Sequence, residues 1–172
     1  MRLYAAFYKK PTTLFGWCVR IFTGFARYIH SEIVIETDDG RRFWISSETH
    51  SGTRITCDIS GNPEKWDIYN VYAADSQIMA ILAHAKALVH QGYDWHGILL
   101  SQLLPFRSHS SGRWFCSEFC AHLLRSIGIL SPSVRPASMS PIELYRWLYS
   151  FGSIDPEPVA FSEPSEDPTG AP

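Results

Sequence analysis

Apolar and polar positions along the chain divide it into strand-like and helix-like stretches. Residues 2–8 alternate loosely and read as a short strand. Residues 28–36 (Tyr28, Ile29, His30, Ser31, Glu32, Ile33, Val34, Ile35, Glu36) are β-branched and strand-like. Asp38-Asp39-Gly40 is a hairpin turn signal, and Arg42–Glu48 returns as the partner strand. A third strand is expected around Arg54–Ile59, closed by Gly61-Asn62-Pro63, and a further one over Trp66–Val71. The middle of the chain is thus expected to be an antiparallel sheet.

Helical spacing dominates elsewhere. Leu14, Trp17, Cys18, Ile21, Phe22 and Phe25 form a stripe after Pro11-Thr12-Thr13. We expect it to face the core, the other reading being an apolar surface for lipid or a partner. A helix capped by Asp75 or Ser76 should run to about His90, burying Ile78, Ile81, Leu82, Ala85, Leu88 and Val89. Tyr93–Leu100 reads as a loop leading into a short helix, and 105–112 as a flexible loop. Cys116, Phe119, Cys120, Leu123, Leu124 and Ile127 then mark one face of a buried helix. Gly128 stands where glycine cheaply adopts the left-handed C′ conformation. Ser140-Pro141-Ile142-Glu143 is a capping box with proline at N1, opening a last helix to about Tyr149.

Composition sets the class. At 172 residues, 45% apolar and 14% aromatic, the chain supports one domain with a substantial core. Residues 155–172 hold five acids, five prolines and no Lys or Arg, and are expected to be a disordered acidic tail. Residues 1–154 are left with 15 basic and 12 acidic groups. A net of +3 without a basic stripe argues against nucleic acid as a partner. The first ten residues do not form a signal peptide and no apolar run is long enough to span a bilayer, so a cytoplasmic protein is expected unless another route delivers it. The four cysteines (18, 57, 116 and 120) form no C-x-x-C pair, which weakens zinc-ribbon and thioredoxin readings.

Cys116 is the candidate for chemistry. A thiol in the first turn of a helix meets unpaired N–H groups and the positive end of the macrodipole, both of which favour thiolate. Free cysteine also packs as a small hydrophobe, so a base within reach decides between the two readings. Of the seven histidines, 84 and 90 fall in a helix and 122 lies six residues along the Cys116 helix. His109 is in a loop and His96 adjoins Trp95. His30 differs because it opens a central strand, a rigid mount. Pairing across the 38–40 turn brings Ser46–Glu48 near Tyr28–His30, where Glu48 could accept a hydrogen bond from the imidazole and fix its tautomer.

Three segments in this order carry a resemblance: 28–35 around His30, 93–99 beginning Tyr93-Asp94-Trp95, and Phe115-Cys116-Ser117-Glu118-Phe119. The chain resembles the circularly permuted papain-like branch of the NlpC/P60 superfamily, closest to the YiiX/YaeF-like group that includes the lecithin retinol acyltransferase relatives. Here the histidine precedes the cysteine, the reverse of papain and ordinary NlpC/P60 enzymes. The resemblance covers about residues 1–150. It implies an α+β fold with an antiparallel sheet packed against helices, a domain over 1–154, and a cysteine hydrolase acting on amide, thioester or ester bonds. Cys116 would be the nucleophile, His30 the base and Glu48 the orienting group, with Glu32, Ser47 and His50 as alternatives. Many members have Ser or Thr before the histidine, where this chain has Ile29. Tyr28, Tyr93, Trp95 and Trp114 are candidates for the pocket wall, because aromatics suit apolar clefts. For Tyr93, Asp94 and Trp95 the other reading is helix entry and core. No metal or organic cofactor is implied. The substrate would be a small molecule, lipid or peptide. The alternatives are a lipid acyltransferase or thioesterase, and an inactive binding module.

Overall fold

The computed structural model describes residues 1–11, 20–21, 25–48, 52–57, 59–89, 92–93 and 113–161. Strands β1 (Arg2–Tyr8), β2 (His30–Glu36), β3 (Arg42–Glu48), β4 (Gly52–Thr56) and β5 (Trp66–Val71) form an antiparallel sheet in the order β4-β3-β2-β1-β5. A parallel two-residue pair joins β6 (Gly92–Tyr93) to β7 (Arg113–Trp114). Three α-helices are present among the described residues: α1 (Asp75–Leu88), α2 (Cys116–Ser126) and α3 (Pro141–Ser150). The class is α+β. No helix among the described residues is long and apolar enough to cross a membrane.

Register follows from the turn at 38–40. Gly40 takes φ +80°, and its N–H donates to the Thr37 carbonyl at 2.9 Å while Thr37 N–H donates to the Arg41 carbonyl. Only a residue without Cβ enters that region cheaply. The hairpin pairs Glu36 with Arg42 and Ile33 with Ile45. Continued three residues beyond its last ladder pair, Ile33–Ile45, this register points the His30 end of β2 at the Glu48 end of β3.

Because side chains alternate across a strand, the sheet has two faces. Leu3, Ala5, Phe7, Ile33, Ile35, Ile45, Tyr69 and Val71 meet the helices in the main core. Tyr4, Ala6, Val34, Trp44 and Ile68 form a second cluster on the opposite face, with Trp66 and Phe161 packed on it. Both faces are covered, which is why the strands bury nearly every residue instead of every second one.

Helix α2 ends as its sequence requires. Gly128 has φ +80°, with Gly128 N–H bonded to Arg125 O and Ile129 N–H to Leu124 O, the Schellman pattern. The helix α3 capping box is present: Glu143 N–H meets Ser140 Oγ, and Glu143 Oε2 accepts from Ser140 N–H at 2.8 Å. Helix α1 departs by one residue. Its N-cap is Ala74, whose N–H is taken by Gln77 Oε1 at 2.9 Å, so Asp75 and Ser76 lie inside the first turn.

Two expectations are corrected. Ile21 and Phe25, the described members of the 14–25 stripe, are 54% and 69% exposed and do not face the core. The tail does not leave the domain at Asp155. Ile154 and Val159 bridge to Val71 and Ile68, Val159 N–H donates to Ile68 O at 2.7 Å, and Phe161 packs against Tyr4 and Trp44 beneath the Arg42 guanidinium. Apolar Val159 and Phe161 dock because the second sheet face needs cover, a demand invisible in a window rich in proline and acids. Phe161→Ala is therefore expected to cost about 1–2 kcal/mol, part of the value of a fully buried aromatic. Chemical denaturation measures it. The short helix expected within 93–100 and the loop 105–112 fall, beyond Tyr93, outside the described residues.

Candidate active site

Strand β2 delivers His30, and helix α2 delivers Cys116. The two elements pack directly, with Cys120 Sγ, one turn along, donating to the Ser31 carbonyl at 3.4 Å. The approach to α2 is pinned from β3, where Ser47 Oγ donates to Trp114 O at 2.8 Å. It is pinned again from the following loop by Ser117 Oγ, which donates to Met139 O. Cys116 therefore sits on the first residue of a helix anchored on both sides, and it is 1% exposed. Glu118 Oε2 reaches back to the Phe115 N–H at 3.4 Å. The N–H groups of Cys116 and Ser117 have no carbonyl one turn earlier in the helix to bond.

The Cys116 sulfur lies near enough to the His30 imidazole to act on its charge. Burial of the ring opposes its charge. The Cys116 sulfur and then the Glu32 carboxylate outweigh that cost and raise the His30 pKa from 6.5 to about 10. Cys120 is a different kind of cysteine. It is wholly buried in the main core, and desolvation pushes its thiol well above the ordinary range.

The carboxylate that meets the ring is Glu32. His30 Nε2 and Glu32 Oε1 are 3.1 Å apart, and the Glu32 side chain is 1% exposed. Glu48, expected in that role, is a tier further out. Arg54 Nη2 bonds Glu32 Oε1 at 2.9 Å and Glu48 Oε1 at 2.5 Å, and the Glu48 side chain is 43% exposed. Alternation explains the exchange: Glu32 is two residues from His30 on one strand, so both project from the same face. Glu48 approaches from the neighbouring strand past the end of the paired ladder. Ser47 points the other way, toward Trp114, and His50 lies outside the described residues.

His30, Glu32 and Glu48 bring one ligand atom each within 4.8 Å of one another, the only such trio among the described residues. Arg54 already lies between the two carboxylates. The trio is thus arranged around a guanidinium, not around an open cation cradle.

The proposed pocket aromatics separate. Tyr28 is fully buried in the main core. Its hydroxyl donates to Asp67 at 2.8 Å and lies 3.0 Å from that of Tyr69, and its ring packs on Phe7 and Tyr145. It is a core residue and not a wall of a cleft. Trp114 lines a cleft of about 360 Å³ with Glu118, His122 and Arg125, but Cys116 is not among its lining residues. Tyr93 is placed by its backbone, paired with Trp114; its side chain and Trp95 lie outside the described residues.

Arg54 is the site residue that sequence reasoning missed. Its signal was a lone charge inside a short strand, opposite Ser46 and beside strands carrying Glu32 and Glu48. No protein-family model matches this chain, and no curated protein matches it.

Proposed function

We propose that the protein is a cysteine hydrolase of amide, thioester or ester bonds, with Cys116 as nucleophile, His30 as acid and base, and Glu32 as the orienting carboxylate. The observation that carries this reading is the placement of Cys116 on a helix start and His30 on a central strand with Glu32 Oε1 3.1 Å from its ring, the sulfur near enough to raise the ring's pKa. The circularly permuted papain-like arrangement belongs to the same reading. The histidine strand precedes the cysteine helix in the chain, and the helix packs on β2 and β3.

In the mechanism, the Cys116 sulfur, as thiolate, attacks the substrate carbonyl carbon. The oxyanion of the tetrahedral intermediate is met by the Cys116 N–H at the helix start. Imidazolium His30 gives its proton to the leaving nitrogen, oxygen or sulfur as the bond to carbon breaks, leaving a thioester on Cys116. Neutral His30 then takes a proton from water, which attacks the thioester and releases the acid, and the thiolate–imidazolium pair is restored. With Nε2 held by Glu32, Nδ1 is the nitrogen left for these transfers.

The test is selective labelling. A mild thiol electrophile at pH 6–7 is expected to modify Cys116 first, mapped by mass spectrometry, and His30→Ala is expected to slow that reaction at least tenfold. Slow, indiscriminate labelling of all cysteines would end the reading.

A pH signature follows. The proton that His30 donates is present below its pKa, so turnover is expected to fall as the pH rises through about 10. Glu32 raises that pKa, so Glu32→Gln should move the alkaline limb to lower pH. An unchanged limb in a kcat/KM profile would remove Glu32 from the site.

A further inference from the structure

We infer that His84 of α1 and His122 of α2 form a binding site for a divalent transition-metal ion of the zinc or copper class, separate from the cysteine site. The two Nε2 atoms are 3.3 Å apart. That is the separation of a long ring N–H···N contact, just past the roughly 2.7–3.2 Å usual for N–H···O bonds. Two imidazole nitrogens bound to one zinc at about 2.0–2.1 Å each, at a tetrahedral angle, lie about 3.3–3.4 Å apart. The ring centroids are farther apart, 4.9 Å, than the nitrogens. The rings therefore meet edge to face at 69° with their Nε2 atoms on the near sides, and do not stack.

The surroundings fix the ligand form of His84. Its Nδ1 is 3.1 Å from Ser126 Oγ, and that hydroxyl spends its one proton on the Leu123 carbonyl at 2.7 Å. Ser126 Oγ must therefore accept from His84 Nδ1–H, which leaves Nε2 with its lone pair directed at His122. A ring N–H donated to a neighbouring oxygen is the outer contact that metal-binding histidines normally make. The His122 ring is held against the Trp114 indole at 4.7 Å between centroids. His122 and Ser126 also line the 360 Å³ cleft, so water or an added ligand can complete the coordination from that side. Arg125, in the same lining, is tied to the Val134 carbonyl at 3.1 Å. Two imidazoles with an open side suit copper and zinc over magnesium or calcium, which prefer oxygen.

Zinc titrated calorimetrically into the full chain is expected to show a first equivalent that His84→Ala and His122→Gln each weaken at least tenfold. The glutamine keeps the bulk beside Trp114, and circular dichroism checks that both variants fold. Copper bound to the unaltered chain should show two coupled imidazole nitrogens by electron paramagnetic resonance, a readout that depends on no variant. A first equivalent unchanged in either variant, no zinc uptake at millimolar metal, or fewer than two coupled nitrogens would each overturn the assignment.

Discussion

Alanine at position 116 is expected to lower turnover of any acyl substrate at least about a thousandfold, the scale seen when a covalent nucleophile is removed. Stability should stay within about 1 kcal/mol of the unaltered chain, because one buried sulfur atom is lost from a helix start that Ser47 and Ser117 continue to anchor. The same variant carries a second signature. Cys116 is the largest of the contributions that raise the His30 pKa, and burial opposes them. Without the sulfur, the imidazole should titrate below 10, which nitrogen-15 NMR of the ring would record. The two readouts separate the possible outcomes. Lost turnover with a lowered His30 pKa is what a working Cys–His pair requires. Full turnover in Cys116→Ala ends the proposed mechanism, and an unmoved pKa means that the sulfur and the ring do not interact in solution.

The Cys116–His30 pair also couples to folding. The folded pKa of His30 lies above its unfolded value of 6.5, so the pair contributes its full stability below pH 6.5. That contribution is lost progressively as the pH rises through 10. In Cys116→Ala the largest raising contribution is gone, so the stability loss between those limits should shrink.

The elements carrying the site were legible because each has a strong local signature. The Asp38-Asp39-Gly40 turn sets the register of β2 and β3, and the apolar face from Cys116 to Leu124 with Gly128 after it bounds α2. Cys116 and His30 stood out for the same reason: a helix start and a strand start are recognisable positions. Their nearness, and the choice of carboxylate, depend on three-dimensional detail. Glu32 and Glu48 differ in sequence only by which strand they occupy. What distinguishes them is that the ladder stops at Ile33–Ile45, beyond which the strands no longer hold Glu48 against the ring. Tyr28 misled because an aromatic two residues before a base looks like a pocket wall. The buried Asp67, which accepts its hydroxyl and also pairs with Lys9 and Arg27, comes from the edge strand β5. The docked stretch 155–161 was hidden for a related reason. Its composition is that of a linker, and only the second apolar face of the sheet gives Val159 and Phe161 a place to go.

Arg54 is where the largest loss of stability is expected. Its Nη2 is shared between Glu32 and Glu48, and its own side chain is only 16% exposed. Coulomb attraction to Glu32 offsets the burial of the guanidinium and raises its pKa. Arg54→Met keeps the aliphatic bulk but removes the guanidinium, leaving the buried Glu32 carboxylate with only the His30 ring of its two cationic contacts and close to a second carboxylate. Breaking a buried pair from one side costs about 3–5 kcal/mol. Glu48→Gln should cost well under 1 kcal/mol, because an exposed partner is solvated in either form. The double variant Arg54→Met/Glu32→Gln should recover most of the stability, since both charges are then gone, and the non-additivity measures the coupling. It should not recover turnover to the same extent, because His30 would face an uncharged amide where the carboxylate had favoured its protonated form. Denaturant midpoints with matched kinetics test this split. If Arg54→Met falls within 0.5 kcal/mol of the unaltered chain, on the order of an ordinary surface change, the guanidinium is not what holds Glu32 in place. The orienting role would then rest on the His30–Glu32 contact alone.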